Sequence, residues 1–154
     1  MKGRLLVGVG LVALLVVGGV VLVGLPTAQA TDGLAPDAVV SEFYEWYLGY
    51  IDGAGERHNP LVDHAYRSSE HLSDGFVAEV DEQLDSAEHI LGDPFLLAQD
   101  VPVKVEPGEA IVEGNEATVT VEMYWGGNPV PSERMVSLVQ IGGQWHIDGV
   151  TMAR

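Results

Sequence analysis

Five histidines and twenty-three acidic side chains offer several places where chemistry could be assembled. Asp63-His64 lies close to Glu70-His71, and His58 precedes both in the polar run Gly53-Ala54-Gly55-Glu56-Arg57-His58-Asn59. Glu88-His89 with Asp93 forms a second group. Carboxylate and imidazole together suit acid–base work or a metal ion. Yet neither His-x-x-x-His nor His-Glu-x-x-His spacing occurs, and neighbours in sequence point apart on a helix or strand. These residues are therefore expected to be solvated surface groups, and no metal or cofactor is expected. With no cysteine, thiolate zinc sites, disulfides and lipoprotein acylation are excluded. Trp46, Trp125 and Trp145 could stack on a ligand, but core or pocket wall is the simpler assignment.

Seven basic against twenty-three acidic residues give a formal net charge of −16. Such a chain repels phosphate backbones, so nucleic acid is not an expected partner. Lys2 and Arg4 precede Leu5 to Leu25, a run without a charged side chain and long enough to span a bilayer as a helix. Pro26 follows, and Ala28-Gln29-Ala30 has the small-x-small form cut by signal peptidases, with Thr31 as the first mature residue. Residues 1–30 are expected to be a cleaved signal peptide or a single-span anchor. In either case the basic N-terminus stays cytoplasmic and the remainder lies outside the cytoplasm, secreted or membrane-anchored. That remainder holds 5 basic and 23 acidic residues, a net charge of −18.

Residues 31–36 read as a linker, and residues 37–154 as one domain. Pro36 suits the first turn of a helix, and Val39, Val40, Phe43, Trp46, Tyr47 and Tyr50 recur at helical spacing, predicting a helix over 36–51. Phe43 with Trp46 or Tyr47 should carry its core face. Residues 59–72 are expected to be irregular or a short helical turn. Ser73 looks like the N-cap of a second helix, with Phe76, Val77, Val80 and Leu84 inward and Glu79, Asp81, Glu82 and Asp85 wet. From Val101 the period becomes two. Strands are predicted over 101–105, 110–112, 117–124, 135–141 and 144–152, with turns at Pro107-Gly108, Gly114-Asn115 and Gly142-Gly143. Helices followed by an antiparallel meander make an α+β domain.

This order, with the closing hairpin Gly142-Gly143-Gln144-Trp145-His146-Ile147-Asp148, resembles the nuclear transport factor 2-like superfamily. Phe43-Tyr44-Glu45-Trp46-Tyr47-Leu48 and Asp93 to Asp100 are similar to a group of bacterial envelope proteins whose domain has no assigned function. The resemblance implies a cone-shaped fold with N-terminal helices packed on a curved antiparallel sheet, and a concavity between the two layers. There Tyr47, Gln99, Asp100 and Trp125 would bind a ligand, while Asp93 and Pro94 would shape the chain reversal. The resemblance leads to a non-enzymatic module binding an unknown small molecule or envelope protein, with homodimerisation open. The alternative is a small lyase or isomerase with Asp100 as general base and Tyr44, Tyr47 or Tyr124 donating to an oxyanion. A third reading is an inhibitor-like partner protein acting through its acidic surface.

Overall fold

A computed structural model describes residues 33–53, 58–86 and 92–154. The expected signal or anchor segment, its cleavage site at Ala28 and Ala30, and the Glu88-His89 pair lie outside the described residues.

Helix α1 spans Pro36–Ile51, as the aromatic periodicity predicts, with Pro36 in its first turn and Asp37 at its positive end. A 3-10 helix follows at Ala65–Ser68, within the stretch expected to be irregular or a short helical turn. Helix α2 spans Asp74–Asp85, and the Ser73 hydroxyl accepts from the Phe76 N–H at 3.0 Å, the expected cap. Strands β1 (Lys104–Glu113), β2 (Glu116–Tyr124), β3 (Ser132–Ile141) and β4 (Gln144–Met152) form an antiparallel meander in the order β1-β2-β3-β4. Gly114, Gly142 and Gly143 supply the positive φ angles that the two tight hairpins require.

Two expectations about the first strand are corrected. Pro107-Gly108 does not reverse the chain; it sits in a bulge between Pro107 and Ala110, and β1 runs through it. A bulge adds a residue without ending the ladder, so the turn-forming residues bend the strand instead. The strand also begins at Lys104 rather than Val101, although the Val103 N–H already reaches the Tyr124 carbonyl at 2.8 Å.

The two helices cover one face of the sheet. Val39, Val40, Phe43, Tyr44 and Tyr47 from α1, Phe76 and Val80 from α2, and alternate residues of β2, β3 and β4 form one core. Trp46 is only half-buried, and Tyr44 takes the inner position beside Phe43 and Tyr47. Phe95 stands at the centre of the aromatic packing, its ring 5.3 to 5.7 Å from those of Phe43, Tyr47, Tyr66 and Phe76. Asp81, partly exposed on the wet side of α2 as expected, accepts hydrogen bonds from the Tyr66 hydroxyl and from Arg67 Nε. Those donors hold its carboxyl below the ordinary range, while the Tyr66 hydroxyl, by burial first and Asp81 second, is pushed up to about 12.

Candidate functional site

The segment Gly92 to Asp100 joins the helical half to the sheet, and its backbone closes on itself. The Asp93 N–H donates to the Ala98 carbonyl at 2.8 Å, and the Leu97 N–H returns to the Asp93 carbonyl at 2.7 Å. Leu97 adopts a positive φ of 50° to complete the turn. Gly92 is required at the start, because a Cβ there would lie 2.9 Å from the Ala98 carbonyl oxygen.

Side chains then fasten this turn to both layers. Asp93 Oδ1 accepts from the N–H groups of Phe95 and Leu96, at 2.8 and 3.1 Å. Its Oδ2 accepts from the Tyr47 hydroxyl at 2.5 Å. Burial raises the Asp93 carboxyl above its ordinary range, outweighing the stabilisation that these three donors give the anion. Tyr47 and Tyr44 are both raised, by burial first and by Asp93 second. The Tyr44 hydroxyl donates to the Phe95 carbonyl at 2.8 Å. From the sheet, Arg134, 3% exposed, donates through Nε to the Leu96 carbonyl at 2.9 Å and through Nη2 to the Leu97 carbonyl at 3.4 Å. Its guanidinium also lies 5.6 Å from the centre of the Trp125 ring.

The sequence reading named Asp93 and Pro94 as shaping the reversal but did not single out Arg134. The signal was present: Arg134 shares the inward period with Val136 and Leu138, and a charge at an inward strand position calls for partners.

A depression of about 370 Å³ opens beside this turn, with Ile51, Leu61, Leu96, Asp93, Gln99 and Asp100 in its lining. Of the residues expected to bind a ligand, Gln99 and Asp100 meet there. Tyr47 is wholly buried and committed to Asp93. Trp125 reaches the Asp100 carbonyl through Nε1 at 3.4 Å. Asp100 itself is exposed, so the apolar surroundings that a base at this position called for are not there. Asp93 is the desolvated carboxylate of the segment, and both its oxygens already accept hydrogen bonds. That arrangement orders backbone; it leaves little freedom for proton transfer to a substrate.

The histidine pairs are drawn apart. Asp63 accepts from the Tyr50 hydroxyl at 3.1 Å and lies 3.8 Å from His58, whereas His71 faces Glu42 at 3.8 Å. No group of three or more metal-binding side chains occurs among the described residues. Trp145 is buried in the core, as expected of a core residue.

No protein-family model and no curated protein sequence matches the chain. Solved structures do. A chain of the native type VI effector–immunity complex Tae3–Tai3 from Ralstonia pickettii superposes with a TM-score of 0.59 at 21% identity, covering 78% of this chain and 96% of that one. A protein of unknown function from Bacteroides thetaiotaomicron superposes with a TM-score of 0.53 at 20% identity, covering 75% of this chain and 88% of the other. The likeness is one of fold.

Proposed function

We propose that this chain is an exported, non-enzymatic protein-binding domain of the cell envelope, belonging to the cone-shaped α+β group that its sequence resembles. The observation that carries the reading is the contrast between a filled interior and an uncovered surface. Phe43, Tyr44, Tyr47, Tyr66 and Phe95, all buried, occupy the space between helices and sheet where a substrate would have to sit. Outside, Ile111 and Met135 are exposed on the outer face of the sheet, on strands that also carry Glu109, Glu113 and Glu133. An apolar surface with a charged margin is what a protein partner uses. The similar fold from Ralstonia pickettii comes from an effector–immunity complex, itself a pairing of two proteins. This supports protein binding as the role, with the acidic surface favouring a basic partner.

The test is cross-linking of the full chain in intact cells, followed by fractionation and identification of what is joined to it. One stoichiometric envelope protein, released by high salt, is the expected result. Recovery of the chain alone, or with a small molecule only, would overturn the reading. N-terminal sequencing of the same material decides the export route: a chain beginning at Thr31 has lost a signal peptide, and one that keeps Met1 is anchored.

A further inference from the structure

The two edges of the sheet are treated differently. The edge of β4 is covered at Ile147 by residues 71–73: the Ile147 N–H donates to the His71 carbonyl at 2.7 Å, and the Ser73 N–H donates to the Ile147 carbonyl at 2.9 Å. At the other side β1 pairs only with β2, and no described residue forms a backbone hydrogen bond with its outer edge. An open edge is a template for another strand unless something blunts it. Pro107 and the bulge interrupt the first part of β1, but Ala110–Glu113 is regular strand beyond the bulge. Ile111 and Val112, on its two faces, are 68% and 51% exposed.

A groove of about 440 Å³ runs between α1 and this bulge, lined by Asp37, Ala38, Ser41, Glu42, Glu45 and Pro107. Its lining contains three carboxylates and no cation, and Glu109 and Glu113 continue the negative charge along β1. A strand added to this edge would point alternate side chains to opposite faces of the sheet. Those on the helix side would pass Ala110 and Val112 and reach toward the groove carboxylates beside Pro107; those on the other side would meet Ile111 and Glu113.

We infer that the free edge of β1 receives an extended segment of a partner protein that alternates basic with aliphatic residues, paired to Ala110–Glu113 with its basic side chains in the groove beside α1. The inference rests on the protein-binding reading and names its surface. A second copy of this chain is disfavoured as the occupant, because it would bring Glu109, Glu113 and the groove carboxylates against their own kind.

Hydrogen exchange of the full chain in detergent tests this, with synthetic octapeptides as probes. The alternating Lys-Val octapeptide should slow amide exchange at 110–113 by about tenfold or more. A block octapeptide of four lysines and four valines, and an alternating Glu-Val octapeptide, should leave those amides unchanged. Asp37→Lys with Glu45→Lys, both exposed positions, should abolish protection by the Lys-Val peptide and confer it on the Glu-Val peptide. Equal binding of the alternating and block peptides, protection elsewhere than 110–113, or self-association through this edge in sedimentation would each overturn the inference. A partner recovered by cross-linking in cells, and recovered equally by a chain carrying Ile111→Lys and Asp37→Lys, would also overturn it while leaving the protein-binding reading intact. Absence of any protein partner would overturn that reading itself.

Discussion

The turn at residues 92–98 and the outer edge of β1 both carry backbone groups that β-ladder pairing within the sheet leaves over, yet they end in opposite states. At the turn, Asp93 is surrounded by donors, the Phe95 carbonyl is taken by Tyr44, and the Leu96 and Leu97 carbonyls are taken by Arg134. At β1, Ile111 and Val112 face solvent and the strand's outer side is bare among the described residues. A buried polar group left without a partner is costly, so the buried turn gathers donors and acceptors around it; at the surface water satisfies the same groups, and the edge can stay open. Acidic residues are thus structural in one region and available in the other. Substitutions should cost stability at the turn and spare it at the edge.

The largest effect is expected at the aromatic packing around the turn. Phe43→Ala, at a wholly buried position, should remove about 3–5 kcal/mol, measured by denaturant unfolding. An unchanged midpoint would mean that α1 does not hold the turn through this face. Next, Arg134→Met keeps much of the side-chain volume but leaves two carbonyls without their donor. A loss toward the upper end of about 1–3 kcal/mol is expected, and a neutral outcome would show that the clamp is dispensable.

Asp93 gives a signature in pH rather than in a single value. Its carboxyl is raised above 3.8 by burial, so the folded state holds the proton more tightly than the unfolded chain does. Its contribution to stability is therefore fully present below that value and is lost as pH rises through the raised one. Asp93→Asn cannot ionise, so the melting temperature of the variant minus that of wild type should increase across this window. A difference independent of pH would remove burial as the dominant influence. The smallest effect belongs to the exposed side. Asp100→Asn and Ile111→Lys should each change stability by no more than about 0.5 kcal/mol, as expected for exposed positions. A large loss at either would erase the distinction between the two regions.

Much of the fold was legible because the periodicities are clean. The spacing of Val39, Val40, Phe43 and Tyr47 marked α1, Ser73 marked the cap of α2, and alternation marked β2 and β4. The β1 bulge was less legible, since Pro-Gly reads as a turn when the pairing of its neighbours is unknown. The candidate site was legible only in part. The segment from Asp93 to Asp100 stood out as a chain reversal, but its pattern marked Asp100 as the candidate for binding or base and Asp93 only as a shaper of the turn. Asp100 follows the apolar run Phe95-Leu96-Leu97 and invited a buried role, while the structure turns that run inward and leaves Asp100 outside.

By itself the sequence determined two helices followed by an antiparallel meander, the acidic excess and most of the apolar positions that face inward, because these depend on side-chain polarity repeating at helical or strand period. Only the tertiary structure decided which acid is desolvated, that Arg134 holds the turn from the opposite layer, and that among the described residues β4 is bridged at Ile147 while the outer side of β1 has no backbone partner. Those outcomes rest on contacts such as Tyr47 to Asp93 and Arg134 to Leu96, made between residues tens of positions apart. Local pattern carries no record of such pairings; they are fixed when the two layers pack and the buried polar groups of the turn find partners across them.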